Sequence, residues 1–207
     1  MIRNIIFDMG GVLIRFDRAF FIQRLGIGPE DEALLMREVF RSLEWARMDR
    51  GSLTDAEAAV SICARVPEHL HDAVRRLVSM WDRPILPIEG MEELIRELKE
   101  KGYHIFLLSN ASFRQHDYWP RIPASRYFED TLVSADVGLV KPQPEIYRLA
   151  FEKFRIKPEE SVFIDDAPAN IEGAYYVGMP GIIFNDDVAA VRKQLAALGV
   201  DVAQAHV

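Results

Sequence analysis

The feature that most constrains this chain is a set of short apolar runs that do not alternate with polar residues. Ile2–Phe7, His104–Ser109, Thr131–Ser134, Ser161–Asp165 and Gly181–Phe184 are built mostly from Ile, Leu, Val and Phe, and turn residues bound them. A strand with one wet face would read apolar, polar, apolar. Runs without that alternation have both faces covered, as in a parallel sheet between two layers of helix. The stretches between the later runs supply the helices. Glu89–Lys101 carries a stripe of Met91, Leu94, Ile95 and Leu98 at helical spacing and stops at Gly102. Gln143–Phe154 and Pro168–Val177 read the same way. Strand and helix in alternation predict an α/β class with a doubly wound, mostly parallel, Rossmann-like sheet.

The segment from Arg15 to Leu86 breaks this rhythm. It has no strand signal and reads as four helices, at Ala19–Leu25, Pro29–Arg47, Thr54–Ala64 and Pro67–Trp81. Ser52 or Thr54 would cap the third, and Pro29 and Pro67 stand where first-turn prolines belong. Pro84–Pro87 reads as the return linker. The expected organisation is a sheet domain from residues 1–14 and 87–207, with an all-helical cap inserted at 15–86. The tail after Leu198 is expected to fray.

In an open parallel sheet, ligands bind beyond the carboxyl ends of the strands. The first run ends in Asp8-Met9-Gly10-Gly11, the second in Ser109-Asn110 and the fourth in Asp165-Asp166, and Lys141 lies just before the helix that precedes the fourth. These groups would meet at one edge. Carboxylates crowded there repel one another unless a cation joins them, and a few hard oxygens with room for water suit Mg2+. Asp8 on a tight turn is an oxygen nucleophile. Gly10 and Gly11 let backbone N–H groups approach an anion, while Ser109, Asn110 and Lys141 offer phosphate contacts. The set points to phosphoryl transfer through an aspartyl intermediate.

Four motifs in this order resemble the haloacid dehalogenase superfamily of phosphohydrolases. They are Phe7-Asp8-Met9-Gly10-Gly11-Val12-Leu13, Ser109 after Leu107-Leu108, Lys141 ahead of Pro142-Gln143-Pro144, and Asp165-Asp166 after Phe163-Ile164. No one of them is specific alone, but all four in order, with a helical insert after the first, span the whole chain. Glu44-Trp45, Arg50-Gly51, Trp119 and the Asn170–Ala174 stretch look similar to the α-D-glucose-1-phosphate phosphatase branch. The resemblance implies that Asp8 attacks phosphorus and ligates Mg2+, and that the Gly10 carbonyl supplies a second ligand. It also implies that Asp166 binds the metal directly. Asp165 would act through water or orient Lys141, and Asn170 would help the outer shell.

One departure matters. Most of the family's phosphatases carry a second aspartate two residues after the nucleophile, which protonates the leaving alcohol and then activates water. Here that position is Gly10. A positioned acid and base is worth roughly 10²–10⁴ in rate. Three routes around its loss stay open: a cap carboxylate such as Asp17 or Glu44, slow proton transfer by water, or an anomeric leaving group, which is a weaker base. Trp45, Arg50 and Trp119 join Asp17 and Glu44 as candidate pocket residues. Trp81 and His116 are further candidates, whereas His69 and His71 lack metal-ligand spacing.

The chain has 207 residues, with 32 acidic against 25 Lys and Arg and a net charge of -7. That balance lacks the basic footprint of a nucleic-acid binder. One cysteine, Cys63, excludes an intrachain disulfide and suggests a reducing compartment. No apolar run spans a membrane, and Asp8 interrupts the only apolar stretch near the N-terminus. A cytoplasmic enzyme acting on a small phosphate ester is expected, with oligomeric state open. Two rivals are a metal-independent dehalogenase, which needs no acid at Gly10, and a non-catalytic relative that binds ligand. A dinucleotide site is not indicated, because no G-x-G-x-x-G follows the first run.

Overall fold

The computed structural model describes residues 1–203. Strand β1 (Asn4–Phe7) is followed by a helical insert of α1 (Arg18–Gln23), α2 (Pro29–Leu35), α3 (Leu43–Asp49), α4 (Asp55–Cys63) and α5 (His71–Met80). The chain then forms α6 (Met91–Glu100), β2 (His104–Ser109), α7 (Gln115–Tyr118), β3 (Asp130–Val133) and α8 (Ser134–Val137). It closes with α9 (Pro144–Phe154), β4 (Ser161–Asp165), α10 (Pro168–Tyr176), β5 (Gly181–Ile183) and α11 (Val188–Ala197).

The five strands form one parallel sheet in the order β3-β2-β1-β4-β5. The missing alternation has a direct cause. Ile5 and Phe7 of β1 point into the layer built with Met91, Leu94, Ile95 and Leu98 of α6 and Val191 and Leu195 of α11. Ile6 points the other way, into the layer of Ile146, Tyr147 and Phe154 of α9 and Ile171 of α10. All three are buried, so consecutive residues of the strand are apolar instead of alternating with polar ones. Because β2 and β4 flank β1 on opposite sides, strand order reverses at β1 and a crevice opens beyond its carboxyl end.

The insert has a hydrophobic cluster of its own. Phe21, Ile22, Leu35, Val39, Phe40, Ile62, Val74 and Leu77 form its centre. Its two connections run side by side: Arg15 N–H donates to the Leu86 carbonyl at 2.8 Å and Ile88 N–H to the Leu13 carbonyl at 3.0 Å. The far end of the insert rests on α8. There Ser134 Oγ donates to the Asp49 carbonyl at 2.5 Å. Gly51 beside it, with φ +72°, lies so close to the Ala135 backbone that a methyl group would overlap the Ala135 carbonyl. A buried carboxylate, Asp82, adds a third tie by pairing with Arg114 and Arg121.

Several local expectations are corrected. The single helix expected at Pro29–Arg47 is broken. A wider π-type turn covers Met36–Phe40, Arg41 leaves helical geometry, and the Ser42 hydroxyl accepts from Trp45 N–H at 3.1 Å to start α3. Thr54, not Ser52, caps α4, in a reciprocal box with Glu57. Pro67 precedes a short 3₁₀ turn, and α5 begins only at His71. Ser134 opens α8 instead of ending β3. The tail does not fray at once after Leu198: Val200 and Val202 are buried, and Ala203 N–H donates to Glu97 Oε1 at 2.6 Å. Residues 204–207 lie outside the described part.

Candidate active site

Three strand ends and one loop supply the polar groups at the crevice. Asp8 follows β1 directly, Ser109 ends β2, Asp165 ends β4 with Asp166 next, and Lys141 comes from the loop between α8 and α9. Lys141 is the centre of the cluster. Its Nζ lies 2.8 Å from Asp8 Oδ1 and 2.7 Å from Asp165 Oδ2, and donates to the Leu108 carbonyl at 2.9 Å. Three partners use all three of its protons. Burial pushes the lysine down, but Asp8 and Asp165 together raise it by more, so it stays charged.

The two buried carboxylates are not equivalent. Asp165 is fully buried and saturated: besides Lys141 it accepts from Ala167 N–H at 2.8 Å and from Asn170 Nδ2 at 3.0 Å. Asp8 has only partial compensation. Burial pushes its carboxyl up to about 7 and Asp165 acts in the same direction, against Lys141. Asp166 is exposed and is also pushed up, by burial of its carboxyl region and then by Asp165. Oxygens of Asp8, Asp165 and Asp166 lie within 4.8 Å of one another. One ammonium for three carboxylates leaves negative charge in excess, and hard oxygen donors of this kind fit a divalent cation such as Mg2+. With Asp165 consumed by Lys141 and Asn170, Asp8 and Asp166 are the side chains with oxygen left to give.

Ser109 Oγ is fully buried and has no hydrogen-bond partner among the described residues. A buried hydroxyl left alone costs about 1–3 kcal/mol, so this donor is held ready for something that arrives. Two of the other expected anion contacts are already spent. Asn110 uses both ends of its amide on the Lys141 backbone, accepting from N–H at 2.8 Å and donating to the carbonyl at 3.0 Å. It therefore holds the lysine loop in place. Gly11 N–H donates to the Ile14 carbonyl at 2.8 Å. Gly11, with φ +83°, instead permits close approach of Asp166, whose carboxylate a Cβ would strike.

Beside Asp8 lies a cavity of about 280 Å³ roofed by the insert. Its floor includes Asp8, Gly10, Asn110 and Asp166, and its walls include Phe16, Trp45, Trp81 and Tyr118. The aromatic rings brace one another: Phe16 meets Trp81 edge-on at 4.9 Å and Trp81 meets Tyr118 at 5.2 Å. Trp45 and Trp81, two of the candidate pocket residues, both line this cavity. Glu44 does not line it. Arg65 and Ser61 hold the Glu44 carboxylate at 2.7 and 2.8 Å, and the bond from Arg65 pulls it down to about 2. Asp17 accepts from Phe20 N–H at 3.0 Å as the cap of α1 and borders a separate, wider groove on the other side of the Gly10-Gly11 loop. Arg50 is exposed and reaches Gln143 Oε1 at 3.5 Å. Trp119 packs edge-on against Phe128 at 5.1 Å, and His116 pairs with Asp136 at 2.9 Å.

Three charged residues line the cavity that the motif reading passes over: Arg18, Asp49 and Asp55. None lies in a strand-end motif. The one sequence signal is an acid at position 49, in the last turn of a helix, where the helix dipole disfavours negative charge.

The chain belongs to the haloacid dehalogenase-like hydrolase family, whose pattern it matches over residues 2–178. It is 30% identical over 115 residues to flavin mononucleotide hydrolase 1 of Arabidopsis thaliana, an alignment covering 56% of this chain and 46% of that protein. This chain thus spans about half the length of that relative. It is 28% identical to D-ribitol-5-phosphate phosphatase of Bacteroides thetaiotaomicron, over 83% of this chain and 86% of that one. A HAD family enzyme from Bacteroides thetaiotaomicron, solved in complex with magnesium and inorganic phosphate, shares the fold with a TM-score of 0.67 at 24% identity. That likeness covers 92% of this chain and 99% of the other. A dehalogenase shares the fold equally, with a TM-score of 0.70 at 21% identity over 89% of this chain and 85% of the other. No helix among the described residues is long and apolar enough to cross a membrane.

Proposed function

We propose that this chain is a phosphoric monoester hydrolase acting on a small phosphorylated metabolite, with Asp8 as nucleophile. The observation that carries this reading is the division of labour around Lys141. Asp165 is saturated and aligns the lysine, the lysine touches Asp8 at 2.8 Å, and the Ser109 hydroxyl is buried without a partner. On this reading Asp8 Oδ forms a bond to phosphorus while the ester P–O bond breaks, and water then cleaves the aspartyl phosphate. Ser109 donates to a phosphoryl oxygen, and Lys141 keeps Asp8 in place and offsets charge. Asp8, Asp166 and the Gly10 carbonyl would hold Mg2+. The ion supplies charge neutralisation for the phosphoryl group and draws Asp8 back to the ionised form.

Residues 1–14 and 87–207 would form the catalytic core and residues 15–86 a cap that excludes water and macromolecules from the cavity. A space of about 280 Å³ with aromatic walls suits one small ring. A sugar phosphate is favoured as substrate, with a sugar 1-phosphate first because Gly10 carries no acid and an anomeric oxygen leaves readily. The likeness to a pentitol-phosphate phosphatase over most of both chains supports the substrate class.

The test is a panel of phosphate esters, including sugar 1- and 6-phosphates, assayed with and without Mg2+. Hydrolysis that needs Mg2+ and vanishes in Asp8→Asn supports the proposal; near-native activity in Asp8→Asn would overturn the covalent route. The absence of an acid at Gly10 favours one second reading, hydrolytic dehalogenation. It predicts metal-independent halide release from a 2-haloacid in the same assay.

A further inference from the structure

When an ester P–O bond breaks, the leaving oxygen takes the electron pair and needs a proton. Lys141 is bound to three partners, and burial and Asp49 hold the Tyr118 phenol of the cavity wall strongly protonated, which leaves a carboxyl group or water to give the proton. Four carboxyl groups line the space: Asp8, Asp166, Asp49 and Asp55. Asp8 is spent on phosphorus and Asp166 on the cation. Asp55 is engaged by Ser112 and lies 4.0 Å from Arg114. Asp49 remains, on the roof opposite the strand ends, at the end of α3 where a negative charge is disfavoured.

Resting on the phosphatase reading above, we propose that Asp49 of the insert is the general acid and base of the reaction, standing in for the missing side chain at position 10. In the first step the Asp49 carboxyl gives its proton to the leaving oxygen as the Asp8–phosphorus bond forms and the ester bond breaks. In the second, the Asp49 carboxylate takes a proton from the attacking water. The new O–P bond forms, the Asp8–phosphorus bond breaks with its electrons returning to Asp8, and inorganic phosphate leaves. Both groups end as they began.

The surroundings keep Asp49 protonated when needed. Burial raises its carboxyl to about 7, Arg18 of α1 and Lys141 pull it down, and Asp55 of α4 pushes it up. Tyr118 of α7 faces it as a neutral phenol, held so by burial and by Asp49 itself. An acid near 7 is matched to proton transfer at neutral pH. Its location also anchors it: the Asp49 carbonyl is gripped by Ser134 at 2.5 Å, so the acid is placed only when the insert is docked on α8. The assignment widens the expected substrates from anomeric phosphates to esters of ordinary alcohols.

The test compares a sugar 6-phosphate, whose alkoxide needs a proton, with p-nitrophenyl phosphate, whose phenolate does not. In Asp49→Asn, first-turnover release of the sugar is expected to fall roughly 10²–10³-fold while first-turnover release of p-nitrophenolate changes less than about 3-fold, and steady-state turnover of both esters falls because the shared second step has lost its base. The decline in activity above about pH 7 that this acid imposes on the sugar phosphate should vanish with it. Retained first-turnover release of p-nitrophenolate also shows that the variant is folded. A Cβ at Gly10 meets only Phe16, at ordinary contact distance of 3.6 Å, and adding Gly10→Asp to Asp49→Asn should restore at least about tenfold. Equal first-turnover losses on both esters, no loss on either, or a persisting basic limb would overturn the role of Asp49 alone. A wild-type chain inactive on both esters would overturn the phosphatase reading beneath it.

Discussion

Lys141 Nζ stands 2.7 Å from Asp165 Oδ2, and neither side chain has any exposed surface. A buried pair of this kind holds geometry more than it adds stability, because desolvation offsets most of the attraction. Its use is to fix where the ammonium meets Asp8. Asp165→Asn should therefore cost about 3–5 kcal/mol of stability by leaving the lysine under-compensated. It should also lower kcat more than KM, read by urea titration and steady-state kinetics. An unchanged kcat would mean that Lys141 needs no such alignment.

With Asp8 and Asp166 as the available carboxylates, saturating Mg2+ should raise Tm by roughly 3–10 °C, the size expected for a ligand near 100 times its Kd on a chain of this length. Asp166→Asn should abolish the shift. A shift that survived this substitution would place the cation elsewhere.

Asp82 is 1% exposed and receives two arginines, Arg114 and Arg121, from the segment around α7. Asp82→Ala leaves Arg114 short of a partner at the seam between insert and sheet. The expected loss is about 3–5 kcal/mol, measured by chemical denaturation. A loss below about 1 kcal/mol would show the seam to be held by apolar packing alone.

Glu44 gives a pH-dependent contrast. Its carboxyl falls from 4.5 to about 2 on folding, chiefly through the hydrogen bond from Arg65. A lowered acid stabilises the fold above its unfolded value and loses that contribution as pH drops through the folded one. Wild-type stability should thus fall between about pH 5 and pH 2, and Glu44→Gln should remove about 1–2 kcal/mol of that slope after allowance for the exposure of Arg65. Activity at neutral pH should be unchanged, since Glu44 lies off the cavity. A Glu44→Gln variant inactive at pH 7 but stably folded would contradict its placement.

The strand ends were legible because one local signal marks them. Ile5, Ile6 and Phe7 face opposite layers yet are all apolar, and the polar residue that follows is where both layers stop. Asp8, Ser109 and Asp165 are readable for that reason. The partners within the site were not. The Asn110 amide turns to the Lys141 backbone, 31 residues away, and Asp165 rather than phosphate claims part of the lysine. Such choices follow from loop geometry, not from residue type. The roof was least legible. Asp49 and Arg18 reach the cavity only through the way the insert docks, whereas Glu44, in a more familiar stretch, was captured by Arg65 within the insert. The break at Arg41 and Ser42 sets the direction of α3 and decides which of these acids looks inward.

Gly51 meets the Ala135 backbone with no side chain between them. The roof therefore has no shim. Its height over Asp8 is set by two main chains in direct contact, a dimension that ordinary side-chain motion cannot vary. Any larger residue at position 51 would wedge the insert away from α8, tilt Trp45 and Asp49 together and enlarge the chamber. Which molecules fit would then change while every group at the strand ends stayed where it was. The height of the chamber is thus set by a joint that touches none of the groups around Asp8.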